Sequence, residues 1–237
     1  MSLMKKNQAR HAAKPAVVVI ESTQTRRKKN SGSETANPPG KLGWQSRHAL
    51  MVSALANALA ELSSHNSVEV RAQIKRDRLI PDFAEYLQDY RAAGQSFPNE
   101  PLIYFVIWQF DIGDVEQALE WGFFALEQGQ SMPERFKRDL ATYIADETIG
   151  WAEQQFKAGN SIEPYFGQVL AKVEDEWKLF EKITANYFKL AGLSLLTGEP
   201  TEEQQKAALE YFRKAHEKYS KVGVKTRMNE LEKVLGI

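Results

Sequence analysis

The chain has 237 residues, 43% hydrophobic and 26% charged, enough to bury a sizeable core as one domain or two. It contains no cysteine, which excludes disulfides, thiolate zinc sites and cysteine nucleophiles and fits a reducing compartment. The net charge of zero hides an asymmetry: residues 1–50 hold ten Lys or Arg against Glu21 and Glu34, a balance of +8, so residues 51–237 carry 21 basic and 29 acidic side chains, a balance of −8. A basic arm on an acidic body suits a protein that meets nucleic acid through a tail, and equally a tail that folds back on its own or a neighbouring body.

Residues 1–43 read as a disordered, flexible basic arm. Lys, Arg, Ser, Thr, Asn, Pro and Gly dominate it, and Ser31-Gly-Ser33 and Asn37-Pro-Pro-Gly40 break regular structure. Its apolar patch, Ala16 to Ile20, is too brief for a signal-peptide core. Lys5, Lys6, Arg10 and Lys14 form one basic cluster and Arg26, Arg27, Lys28 and Lys29 another, both able to reach phosphates without a preset shape.

The spacing predicts a helix over 46–63, where His48, Val52, Leu55, Leu59 and Leu62 recur by fours and threes. That narrow seam either joins subunits or packs within one. A second helix, 68–80, places Val70 and Ile74 inward and Arg71, Lys75 and Arg78 on another side, with Arg76 elsewhere on its circumference. These four cations sit on an element that can enter a major groove, or form an exposed face paired with nearby acids. Pro81 bends or ends this helix, and Phe83, Tyr86, Leu87 and Tyr90 then give a new apolar face up to Gly94.

Leu102 to Phe110 is apolar on every side except Gln109, as in a helix packed on several faces. Gly113 can close it in the left-handed conformation and Asp114 can cap the next helix, which carries Val115, Ala118, Leu119, Gly122 and Leu126 and stops at Gly129. Ser131-Met-Pro-Glu134 has capping-box spacing, so a long helix is expected from there to Gly159, with Phe136 and Trp151 on its apolar face. Helices over 165–173, 177–196, 202–222 and 225–235 complete the chain. Ala118-Leu119 and Ala125 after Gly113 are echoed by Ala208-Leu209 and Ala215 after Gly198; such small residues let antiparallel helices approach closely. The expected fold is all-α, built of helical hairpins with a tetratricopeptide-like C-terminal part. Three regions follow: the arm, N-terminal helices over 44–94 as the candidate DNA-binding and oligomer region, and a helical-hairpin body over 95–237.

No G-x-x-x-x-G-K-[ST] string occurs, so the usual phosphate-cradling loop of an ATP-driven motor is absent. The four histidines lack ligand spacing. Asp139 and Asp146, with Glu147 beside the latter, and the run Glu174-Asp-Glu176 are the acidic groupings able to hold Mg²⁺; solvated helix faces are their ordinary reading. No apolar run reaches the roughly 20 residues of a membrane helix.

As a string, Trp108-x-Phe-Asp-Ile-Gly-Asp114-x-x-x-Ala-Leu-Glu120, followed by Ala125-Leu-Glu-Gln-Gly-Gln-Ser-Met-Pro-Glu-Arg-Phe-Lys-Arg-Asp139, resembles the small, or endonuclease, terminase subunit of temperate contractile-tailed phages, the GpM type. The likeness extends from about Arg71 to the C-terminus, taking in Lys189-Leu-Ala-Gly-Leu-Ser-Leu195 and Val222-Gly-Val-Lys-Thr-Arg-Met-Asn-Glu-Leu-Glu232. It implies a protein in the cytoplasm of the bacterial host that recognises the packaging site on double-stranded viral DNA. The implied partners are the large ATPase subunit, with which it cuts and packages genomes, and other copies of itself in a homo-oligomer; no membrane is implied. DNA contacts then fall to the arm and to Arg71, Lys75, Arg76 and Arg78. No cofactor is implied, Mg²⁺ being needed only if the chain itself cleaves DNA, and no motif marks a catalytic site. The alternative is a helical-repeat adaptor for a protein partner, with no direct DNA role.

Overall fold

A computed structural model describes residues 43–237, and all regular structure within them is helical. Helix α1, Trp44–Ser64, buries Leu55, Ala58 and Leu62. The second half of the expected seam therefore packs within the subunit, whereas Val52, at 38% exposed, and Leu50, at 58%, face solvent. Ser67 caps α2, Val68–Ile74, by accepting from the Val70 N–H at 3.1 Å. Val70 is itself exposed, not inward as expected: it lies in the first turn, where the helix has not yet reached the core.

Pro81 does not end this helix. The chain passes through a π turn, Lys75–Leu79, directly into α3, Ile80–Ala92, and the Ile80 N–H donates to the Lys75 carbonyl. Proline has no N–H, and its ring crowds the carbonyl four residues back; the wider turn just before it relieves that conflict without breaking the rod. Helix α3 buries Phe83, Tyr86, Leu87 and Tyr90 and stops at Gly94, where φ is +60°.

Helix α4, Glu100–Asp111, is buried from Pro101 through Gln109, the all-round burial its sequence calls for. Gly113 turns the chain at φ +81°. Asp114 then accepts from the Gln117 N–H at 3.1 Å and opens α5, Val115–Glu127. A Cβ on Gly122 would lie 2.9 Å from Ile144 Cδ1, so α5 lies close against α6, Leu140–Lys157.

The expected helix start at Ser131 is not used. Residues 131–139 run irregularly, with the Arg135 guanidinium 4.8 Å from the ring centres of both Tyr104 and Phe136. Asp139 instead caps α6, accepting from the Thr142 N–H at 2.7 Å. Helix α7 spans Tyr165–Asp175, and α8 spans Glu181–Leu195, starting later than expected because Trp177 lies before it, its ring 6.3 Å from that of Phe123. Helices α9, Glu202–Lys218, and α10, Lys225–Leu235, close the chain.

One core surrounds α4 and draws on α1 through α8; a second joins α8, α9 and α10 around Phe188, Leu209 and Phe212. Ala118, Leu119, Ala125 and their echoes Ala208, Leu209 and Ala215 are all buried, so the repeated pattern marks two helical hairpins. Gly192 serves the second: a Cβ there would meet the Phe212 ring at 2.5 Å and the Ala208 carbonyl at 3.1 Å.

Candidate nucleic-acid interface

The eight arm cations Lys5, Lys6, Arg10, Lys14, Arg26, Arg27, Lys28 and Lys29 lie outside the described residues. The other four lie along one rod, and each finds a partner on a neighbouring element. Arg71 donates to the His65 carbonyl at 3.3 Å. Lys75 Nζ donates to Asp111 Oδ2 at 2.6 Å, and Arg76 donates to the Ile112 carbonyl at 3.2 Å. The first contact ends on the last residue of α4 and the second on the turn that follows it. Arg78 pairs with Glu61 of α1.

The four cations differ in how freely they can meet a ligand. The Lys75 side chain is only 12% exposed, while those of Arg78 and Glu61 are 50% and 38% exposed. Both side chains are solvent-exposed, so the pair is screened and weak, and a phosphate can take the carboxylate's place. Arg76 is exposed and contributes one hydrogen bond to a carbonyl. Arg76 and Arg78 thus present charge outward, whereas Lys75 holds the rod against the end of α4. The partners Glu61, Asp111 and Ile112 lie 17 and 36 residues away in sequence, a separation at which no local periodicity marks them.

The acidic groupings are occupied otherwise. Asp139 is a helix cap, Asp146 pairs with Arg138, Glu176 with Lys172 and Glu174 with Lys214. Partial burial, with the carboxylates of Asp111 and Asp146 nearby, raises Glu147 above the ordinary carboxylate range. Among the described residues, no three His, Asp or Glu side chains are placed to hold a metal ion. Trp44 packs against Tyr86 and Tyr90, with ring centres 6.3 and 6.5 Å apart, and the Arg47 guanidinium sits 4.9 Å from its own ring centre. It is thereby an anchor for the start of α1. No helix among the described residues is long and apolar enough to cross a membrane.

Residues 52–182 match the model of a family described as the phage small terminase subunit. The chain is 31% identical over 202 residues to the probable terminase, endonuclease subunit, of Haemophilus phage HP1, covering 78% of this chain and 72% of that protein. It is 25% identical over 193 residues to the terminase, endonuclease subunit, of Escherichia phage P2, covering 80% and 76%. No solved structure matches significantly.

Proposed function

The chain belongs to the phage small terminase subunit family, with a role in phage DNA packaging, and from that premise we propose that it binds viral duplex DNA at the packaging site. In this reading it acts with the large ATPase subunit in cutting and packaging the genome. The observation that carries the DNA-binding part is the charge distribution: +8 in residues 1–50, continued on the body by the outward Arg76 and Arg78. The arm supplies sequence-independent attraction to phosphates, and the rod of α2 and the π turn supplies a rigid element for the groove.

A homo-oligomer forms through the outer face of α1. Ala49, Leu50, Val52, Ser53, Ala56, Asn57 and Ala60 are exposed there and carry no charge. The bulk of Leu50 and Val52 lies toward one end and the small side chains toward the other. Two copies packed antiparallel would set each bulky half on the partner's small half, without like-charge repulsion. Solution mass tests this: an oligomer for the full chain, shifted to a smaller species by Leu50→Glu, is expected.

Gel-shift titrations over a salt series test the DNA reading, on the full chain and on a truncation beginning at Lys41. Affinity should fall by roughly 10³–10⁵ between 50 and 200 mM salt if six to ten phosphates are contacted, and most of it should vanish with the arm. The adaptor reading gains from one observation, that Lys75 and Arg76 bond to the end of α4 and the turn that follows it. Absence of DNA binding by the intact chain at low salt would decide for it.

A further inference from the structure

Lys157 at the end of α6, Lys189 of α8 and Arg227 in the first turn of α10 line one cleft of about 300 Å³. Phe156, Leu190 and Leu193 form its apolar lining, and Glu153 is the one carboxylate beside them. Ten ion pairs tie up cations elsewhere among the described residues, and none of them includes Lys157, Lys189 or Arg227. Lys189 is held in place, its Nζ donating to the Val222 carbonyl at 3.1 Å. That bond brings together the two segments Lys189–Leu195 and Val222–Glu232, far apart in sequence.

The start of α10 carries uncompensated positive charge. Helix α10 has no side-chain cap and no acidic residue in its first turn, where Lys225 and Arg227 stand instead. Cations at the positive end of a helix dipole are unfavourable, whereas Lys157 stands favourably in the last turn of α6. A bound anion would offset that charge and pair with the cations around the cleft. The chemistry of the lining narrows the anion further. A sugar–phosphate backbone has nothing to lay on Phe156, Leu190 and Leu193, whereas an acidic peptide with one bulky apolar side chain satisfies both the lining and the rim. The volume, at the low end for ligand pockets, suits a single such side chain.

We propose that this cleft docks an acidic peptide segment of a partner protein, seating one bulky apolar side chain between α6, α8 and α10 while Lys157, Lys189 and Arg227 take its flanking carboxylates. The site uses neither the arm nor the Arg71–Arg78 rod, so it stands or falls apart from DNA binding.

Fluorescence anisotropy on the full chain tests it with three probes: a short Asp/Glu-rich peptide with a central Phe, the same peptide with Ser in that place, and a duplex oligonucleotide. The Phe peptide should bind saturably. The double variant Lys157→Gln, Arg227→Gln, both at exposed positions and checked for helicity by circular dichroism, should weaken that binding about tenfold, a loss of about 1.4 kcal/mol. Replacing Phe by Ser should cost a comparable factor. Background attraction to the arm is common to both proteins and cancels in the comparison. No saturable binding, or equal binding by wild type and variant, would overturn the proposal. So would equal binding of the two peptides, or a loss in the variant that falls on the duplex and spares the peptide.

Discussion

Lys75 Nζ reaches Asp111 Oδ2 at 2.6 Å across 36 residues of sequence, fastening the basic rod to the C-terminal end of the central helix α4. The lysine side chain is 12% exposed and the aspartate 41%, so the pair sits at the edge of the core. Arg76, the next residue, gives one hydrogen bond to the Ile112 carbonyl just beyond while its side chain stays exposed. The π turn makes this possible: by adding a residue to one turn of the rod it changes which cations point at α4 and which point out.

Removing either partner should therefore destabilise the fold, and removing both should cost less than the sum. Urea denaturation of Lys75→Met, Asp111→Asn and the double variant should give a coupling of about 1 kcal/mol, the upper end for exposed pairs, because only the lysine is largely sheltered. Strict additivity would mean that the contact contributes nothing.

Glu147 gives the same end of the molecule a pH dependence. Partial burial, then Asp111 and Asp146, raise its folded pKa above the ordinary 4.5. As pH rises through 4.5 the unfolded chain loses this proton first, so the folded state loses relative stability between 4.5 and the raised value and stays lower at pH 7. Glu147→Gln should raise Tm at pH 7 and leave it unchanged below about pH 3.5, where both states are protonated. An equal shift at both pH values would assign the effect to packing.

The hairpins were legible because their signals are local. Gly113 with Asp114, Gly129, Gly159 and Gly198 mark ends that recur in the structure at positive φ or as caps, and the all-round apolar run of α4 is buried as its composition requires. The capping-box spacing at Ser131 marks a helix start in sequence, but Asp139, eight residues on, is the residue that caps α6. Tertiary packing of Met132 and Phe136 against the core, with Arg135 between two rings, decides for Asp139. Pro81 leaves a bend and an end both open in sequence, and the structure removes the end, since a π turn upstream of a proline leaves no mark in hydrophobic period. At the candidate interface the cations were visible in sequence, but their partners Glu61, Asp111 and Ile112 were not, because non-local pairing sets which charge faces out.

Two glycines in helix interiors should respond to alanine with opposite signs. At Gly192 the added Cβ would meet the buried Phe212 ring at 2.5 Å and the Ala208 carbonyl at 3.1 Å, so overpacking should outweigh the gain in helix propensity and cost about 1–2 kcal/mol net. Gly150 is exposed in α6 with nothing within 4 Å, so alanine there should stabilise by about 0.5–1 kcal/mol. Urea midpoints for both variants check this, and a stabilised Gly192→Ala would show that α8 and α9 can separate without cost.

The rod also makes a prediction that separates its cations by role. Arg78 and Glu61 are both substantially exposed, so a phosphate can replace the carboxylate at little cost, and each phosphate contact contributes about 0.9 to the slope of log affinity against log salt. Filter binding over a salt series should show that Arg78→Gln lowers this slope by about one contact, uniformly across DNA sequences. Glu61→Gln should tighten binding by freeing Arg78. Lys75→Met should leave the slope unchanged wherever the variant is folded, since its ammonium is committed to Asp111. If Lys75→Met instead lowers the slope as much as Arg78→Gln, the rod must release the end of α4 when DNA binds, and the Lys75–Asp111 contact is then a latch that opens on DNA.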